Sequence, residues 1–271
     1  IWSYMYKVTF ALVSVILISI MALNIANEQS RAQGTADKIF EQMDKMLEEN
    51  QKELTRLRQE YAAKCLHNTE AIAYILEKNT GVGNDRYELR KIAEFMEVDE
   101  IHIIDAAGEI VSGTHPQYYG YSFDSGKQMN YFKPMLKDKS LKMVQDIEPN
   151  TAEHKLMQYS AMWNSTGEFI VQVGIEPVNV SKVTEKNELP YIFSQLCVNP
   201  DTSYFAVNAE TEKIVGATDI ELVGMDMKEV GLNTEKIQST KGFSGMINGK
   251  RSYIVFKKVA DNYIGVAVTS K

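Results

Sequence analysis

The segment Ile-Asp-Ala-Ala-Gly-Glu-Ile-Val-Ser-Gly-Thr at 104–114 returns at 207–218 as Val-Asn-Ala-Glu-Thr-Glu-Lys-Ile-Val-Gly-Ala-Thr. Each copy reads as a strand, an Asp- or Asn-led turn and a second strand, so the chain must build the same small β unit twice. Each unit then needs its own core. With 271 residues, 44% of them hydrophobic, the chain has enough apolar material for two domains of ordinary size.

Both copies follow an uncharged run at 8–25, Val-Thr-Phe-Ala-Leu-Val-Ser-Val-Ile-Leu-Ile-Ser-Ile-Met-Ala-Leu-Asn-Ile. As a helix it spans about 27 Å, close to a bilayer core of about 30 Å. Trp2, Tyr4 and Tyr6 precede it and Lys7 marks its edge, the pattern of an interfacial aromatic belt beside a cytoplasmic cation. A cleaved signal peptide is the alternative, but the core is long for one and residues 24–33 offer no A-x-A site. The chain starts at Ile1 and stops at Lys271 just after a strand-like run, so further sequence on the cytoplasmic side is expected.

Beyond the membrane, Ile39, Met43, Met46 or Leu47, Leu54, Leu57, Tyr61 and Cys65 recur at helical spacing between charged residues. The pattern continues through Ala71, Ile72 and Ile75 until the Asn- and Gly-rich 79–84 stops it, and Gly34 alone interrupts it. Such a helix, roughly 70 Å long, serves as a strut to the bilayer, as the cover of a core, or as both along different parts.

A helix at 86–97 leads into the first repeat copy. A Gly- and aromatic-rich loop at 113–126, a helix at 128–137 and a strand at 142–147 follow. Next comes a hairpin in which Met157, Tyr159, Ala161 and Trp163 alternate, residues 164–167 turn, and Phe169, Val171, Val173 and Ile175 alternate back. Five strands with helices between the second and third make a PAS-like unit. Residues 177–196 read as a connecting helix broken at Pro190. The second unit repeats the pattern with strands at 203–208, 213–218, 242–247, 252–259 and 263–269 and a helix at 233–239, and is shorter between its second and third strands. The fold expected is mixed α/β (α+β): a transmembrane helix over 1–27, a long helix over 28–78, and PAS-like units over 79–197 and 198–271, each with an antiparallel sheet of about five strands.

The net charge of -7, with no Lys/Arg cluster, argues against nucleic acid as a partner. Cys65 and Cys197 form no CxxC pair, leaving two thiols or one bridge. Gly242-Phe243-Ser244-Gly245-Met246 lacks the last glycine of a hydrolase elbow, and no helix follows it. His67, His102, His115 and His154 never fall at HxH or HxxxH spacing, and His102 reads as an ordinary strand residue. Gly81-Val82-Gly83-Asn84 is too short for a phosphate loop. No catalytic residue, metal site or cofactor is implied. Asp124 and Asp146 offer charge for a cation or amine, or simply cap helices and face water.

A membrane helix, a long extracytoplasmic helix and two successive PAS-like units resemble the double Cache sensor domains of bacterial transmembrane receptors. The resemblance covers nearly the whole chain and rests on topology and the repeat. It implies a membrane-distal first unit that binds a small extracellular ligand and a membrane-proximal second unit that relays to a cytoplasmic diguanylate cyclase, histidine kinase, chemoreceptor module or phosphatase. The amino-acid-sensing branch carries Tyr, four residues, Arg, one residue, Trp-Tyr, two residues, Ala. With Tyr131-Phe132 at the paired aromatics, Asp124 replaces the tyrosine, Met129 the arginine and Met135 the alanine. Without that arginine a bidentate anchor for an α-carboxylate is missing. The remaining candidates are Tyr121, Phe123, Asp124, Gln128, Tyr131 and Phe132 on the loop and short helix, with Gln145, Gln158, Tyr159 and Gln172 on facing strands. The aromatics serve equally as core. Partners expected are a small molecule, the membrane, and a second copy docked along the apolar stripe from 39 to 57. A membrane-anchored adhesion or structural ectodomain is the alternative function.

Overall fold

A computed structural model describes residues 2–196, 199–239 and 241–270. Helix α1 runs unbroken over Trp2–Lys78. Its N-terminal part is long and apolar enough to cross a membrane, and Phe10, Leu12, Leu17, Ile18, Met21 and Leu23 along it are exposed. The side chains of Trp2, Tyr4 and Tyr6, on which the aromatic belt rests, lie outside the described residues, as does Cys197. Cys65 is a buried thiol. It donates to the carbonyls of Gln158 and Val173, at 3.4 and 3.3 Å, and burial pushes its pKa up to about 11.

The chain divides into two compact units, residues 50–184 and residues 1–49 with 185–271. In the first, helix α2 (Arg86–Phe95) starts at Asp85, whose carboxylate accepts from the amides of Tyr87 and Glu88. Then come β1 (Glu100–Ile104), β2 (Ile110–Gly113), α3 (Lys127–Asn130), β3 (Lys142–Val144), β4 (Glu148–Pro149), β5 (Leu156–Trp163), β6 (Ile170–Ile175) and α4 (Val178–Glu185). The antiparallel sheet has the order β2-β1-β6-β5-β3, with β4 also on β5. Alternation sends Ile101, Ile103, Val171 and Val173 to one face, under Ile72 and Leu76 of α1 and Leu89 of α2. Ile104, Ile170, Tyr159, Ala161 and Trp163 point to the other, under the loop residues Tyr118, Phe123, Met129, Phe132 and Met135. Burial of each large apolar side chain contributes about 1.5–3 kcal/mol.

Two elements depart from the sequence reading. The single helix expected over 128–137 is α3 plus a separate 3-10 turn, Lys133–Leu136. Pro134 has no amide to donate and its ring would meet the carbonyl four residues back, so α3 cannot continue. The strand expected over 142–147 ends at Val144 as β3, and the separate β4 follows at Glu148–Pro149, which gives six strands instead of five. Between them the amide of Gln145 still donates to the Tyr159 carbonyl, at 2.9 Å.

The second unit holds α5 (Leu189–Gln195), β7 (Thr202–Asn208), β8 (Ile214–Ala217), α6 (Thr234–Gln238), β9 (Phe243–Ile247), β10 (Lys250–Val259) and β11 (Asn262–Thr269). The break in the connecting helix falls at 186–188, because Pro190 sits in the first turn of α5, where a missing amide costs nothing. The sheet order β8-β7-β11-β10-β9 repeats that of the first unit. Ala32, Ala36, Ile39, Phe40 and Met43 of α1 pack with Ile192 and Phe193 on one face, against Tyr204, Ala206, Ile264 and Val266.

The stripe offered by sequence as a dimer seam is therefore already used. Ile39 and Met43 belong to the core of the second unit. Leu54 and Leu57 pack on Val180 and Val183 of α4 in the first. A helix face that covers its own sheet is not free to form a coiled-coil seam.

Candidate functional site

The repeat fixes which residues of the two units correspond. β1 carries a register shift between Ile103 and Ile104, and β7 carries one between Ala206 and Val207, so His102 matches Phe205. The following turns are closed alike. The Asp105 carboxylate accepts from the amides of Ala107 and Glu109 (both 2.9 Å), and the Asn208 side-chain oxygen from those of Glu210 and Thr211 (3.1 and 2.9 Å). Correspondence then extends beyond the strands. Ile110 N–H donates to the Tyr121 carbonyl as Ile214 N–H donates to Met225, and Gly120 N–H donates to Ile110 as Gly224 N–H does to Ile214. Tyr118, Tyr121 and Phe123 thus match Leu222, Met225 and Met227.

In the second unit the matching positions are apolar. Phe205 lies opposite Gly265, where an added Cβ would come within 2.6 Å of its ring, and Leu222 and Met227 are buried beside it. In the first unit the equivalent strand pair is His102 opposite Gln172, and the matching loop positions are tyrosines. Here there is a cavity of about 20 Å³, room for about one water. Its walls are His102, Tyr159 and Gln172 from the sheet, Ile110, Tyr118 and Tyr121 from β2 and the loop after it, Gln128 and Met129 from α3, and residues 150–152 from the turn before β5.

Four buried side-chain atoms among the described residues have no hydrogen-bond partner: His102 Nε2, Tyr118 OH, Asn150 Nδ2 and Gln172 Nε2. All four residues line this cavity. Unpaired buried polar groups are costly and rare in native interiors, so their convergence on one cavity singles it out. His102 Nδ1 is 3.0 Å from Gln172 Oε1. Burial pushes the imidazole pKa down to about 4, so the ring is neutral near pH 7. With Nδ1–H donating to Gln172, Nε2 keeps its lone pair. It lies 3.5 Å from Glu100 Oε2 without hydrogen-bond geometry.

Glu100 stands behind this wall, 3% exposed, and accepts from the Tyr159 hydroxyl at 2.6 Å. Burial pushes its pKa up, against the downward pull of that hydrogen bond. Tyr159 reaches it across Gly174, where an added Cβ would meet the ring at 2.6 Å. Burial, and then the Glu100 charge, push the phenols of Tyr118 and Tyr159 upward, so both stay protonated. Asn150 and Glu153 come near Tyr118 OH without a hydrogen bond of good geometry. The His102 and Tyr118 rings meet edge to face at 5.4 Å, and His115 stacks on Tyr118 at 5.5 Å.

The rim is fastened by amides. Gln128 Nε2 donates to Gln145 Oε1 (3.0 Å), Gln145 Nε2 to the Gln128 carbonyl (3.2 Å), and Thr151 Oγ1 to Gln128 Oε1 (3.3 Å). Gln158 donates to the Gln145 carbonyl. The Asn150 side-chain oxygen accepts from the amides of Glu153 and Lys155, which leaves its NH₂ group facing the cavity.

Of the residues chosen from sequence, Tyr121, Gln128, Tyr159 and Gln172 line the cavity, and Gln145 holds Gln128 in place. The others lie elsewhere. Phe123 and Phe132 are fully buried core, with rings 6.4 Å apart. Tyr131 is 42% exposed and donates to the Val144 carbonyl, and Asp124 is exposed and paired with Lys133 at 2.5 Å. Sequence reasoning passed over His102, Tyr118 and Asn150. Alternation through Ile104 placed His102 on the loop face, and that signal was available; nothing distinguished Asn150 from an ordinary turn residue. Met129, which the sequence resemblance set in place of an arginine, is buried in the cavity wall, which contains no Lys, Arg, Asp or Glu. Among the described residues no three His, Cys, Asp or Glu side chains gather as metal ligands.

No family model and no curated protein matches the chain. Solved structures do. An extracellular ligand binding receptor from Desulfohalobium retbaense is similar at 15% identity and a TM-score of 0.37; the match covers 80% of this chain and 39% of that one. The ligand-binding domain of the Campylobacter jejuni chemoreceptor Tlp3, in complex with 4-methylisoleucine, is similar at 12% identity over 86% of this chain and 91% of that one, TM-score 0.38. The sensor domain of the V. cholerae histidine kinase DctB is similar at 11% identity over 85% and 99%, TM-score 0.36.

Proposed function

We propose that this chain is the extracytoplasmic ligand-sensing region of a membrane-anchored signalling receptor, binding a small molecule in the unit of residues 50–184 and relaying to a cytoplasmic output module. One observation carries the reading. Two copies of one fold differ at corresponding positions: the second carries the apolar Phe205, Leu222 and Met225, while the first carries His102, Tyr118 and Tyr121 around a cavity ringed by four unpartnered polar atoms. A merely structural ectodomain has no use for that difference, because filling the cavity would remove the desolvation cost.

A cavity of about 20 Å³ admits a metabolite only by opening. Opening requires the loop at 113–126, α3 and the turn at 150–155 to shift off the sheet, and the rim amides tie α3 to that turn. A ligand that prefers the rearranged state shifts the population toward it. The sheet it touches is backed on its other face by Ile72 and Leu76 of α1, and α1 is the helix that also carries the membrane-spanning run.

The test is a thermal-shift screen of the whole chain in detergent against neutral, acidic and basic metabolites. A binder is expected to raise the transition by the mass-action amount. Gln172→Met is expected to lower the affinity for that binder at least about tenfold, the equivalent of one good hydrogen bond. A screen in which nothing binds, or a binder indifferent to Gln172, Tyr118 and Tyr159 substitutions, overturns the assignment.

A further inference from the structure

The four unpartnered atoms also describe what they need. Gln172 and Asn150 offer N–H donors, His102 Nε2 offers a lone pair, and the Tyr118 hydroxyl can do either. His102 and Gln172 are directly paired across β1 and β6, so an acceptor and a donor stand side by side on one wall. Turning the Gln172 amide over exchanges their roles, with the other tautomer of His102, yet still leaves one donor beside one acceptor.

Resting on the sensing function proposed above, we infer that the cavity recognises an uncharged molecule with an amide-type edge, an N–H donor next to a carbonyl oxygen. The carbonyl accepts from Gln172 Nε2 and Asn150 Nδ2, one N–H donates to His102 Nε2, and the second N–H of a primary amide donates to the Tyr118 hydroxyl oxygen. Such an edge satisfies every orphan at once.

Charged groups fit worse. A carboxylate could accept from Gln172 and Asn150, but it would be desolvated in a wall without a cation, with the Glu100 carboxyl 3.5 Å from His102 Nε2. An ammonium would find His102 Nε2 and the aromatic rings, but it would leave both amide NH₂ groups unpaired. The position where amino-acid sensors place an arginine is Met129, an apolar part of the wall.

Three probes of nearly equal size separate the classes: propionamide, propionate and propylamine, titrated into the whole chain in detergent by calorimetry and thermal shift. Propionamide is expected to bind with millimolar affinity, the range open to a ligand of about five non-hydrogen atoms, while the other two show no saturable heat up to about 50 mM. Gln172→Met should abolish the propionamide signal. Tyr118→Phe, which removes only a hydroxyl that has no partner in the structure, guards against a folding artefact: it should keep the fold and weaken propionamide about three- to tenfold. Propionate or propylamine binding as tightly as propionamide overturns the amide class but leaves the sensing function standing, as does a broader screen whose hits all carry a charge. Failure of the three probes and of the broader screen together removes both.

Discussion

At the scale of single residues, the buried pair Glu100 and His102 makes stability depend on pH in two opposing ways. Burial raises the Glu100 pKa above its ordinary 4.5, so its contribution is complete below about pH 4.5 and is lost as pH rises through the folded value. His102 has the reverse sign. Its pKa falls from 6.5 to about 4 on folding, so its contribution is present above about pH 6.5 and lost as pH falls toward 4. Glu100→Gln keeps an acceptor for the Tyr159 hydroxyl and removes the ionisation. The variant should be more stable than the parent at about pH 8, by about 1.4 kcal/mol for each unit of the raised pKa, and the gap should vanish below about pH 4.5. Urea unfolding at several pH values measures it, and a gap constant with pH would refute the buried ionisation. Gly174→Ala is a steric counterpart. The new methyl would displace the Tyr159 ring from Glu100, at an expected cost of about 1–3 kcal/mol in the same measurement.

At the scale of elements, Gly34 lies inside α1 with nothing within 4 Å of an added Cβ. Gly34→Ala should raise helix stability by about 0.5–1 kcal/mol, and slower amide exchange around residue 34 would register it. The paired turns give a second test. Asp105→Ala and Asn208→Ala each remove two hydrogen bonds between a side chain and the amides of a turn, and Asn208→Ala also removes those to the Thr211 hydroxyl and Asn262; each should cost about 1 kcal/mol or more, seen as faster exchange confined to the unit that carries the change. The strand–turn–strand copies, the hairpin of β5 and β6 and the length of α1 were legible because period-2 and period-3.6 patterns and Asx turns are local signals. The division at Pro134 had a local signal too, one that the apolar spacing of 128–137 masked. The site was half legible. Tyr121, Gln128, Tyr159 and Gln172 could be named as polar or aromatic residues on facing elements, whereas Phe123 and Phe132 look identical in sequence whether they line a cavity or fill a core. Asn150 depends on where a turn lands against a sheet, and that is decided by tertiary packing.

At the scale of the whole molecule, the two units differ in how their chain is assembled. Residues 50–184 form one contiguous unit, and the other joins residues 1–49 to 185–271. A fragment of 50–184 should therefore show a cooperative thermal transition alone. A fragment of 185–271 should not, because Ala32, Ile39, Phe40 and Met43 complete its core; adding a peptide of residues 28–49 should restore the transition. Circular dichroism of the fragments, separate and mixed, checks both outcomes. The split also sets an order during synthesis. After the apolar face of 32–43 leaves the ribosome, the whole of 50–184 must be translated before its partner strands begin to appear, a wait of roughly 10–30 s at ordinary elongation rates. For that interval a hydrophobic stripe lies uncovered, so a chain of this topology depends on a chaperone or another apolar surface to shield a segment whose own sheet has not yet been made.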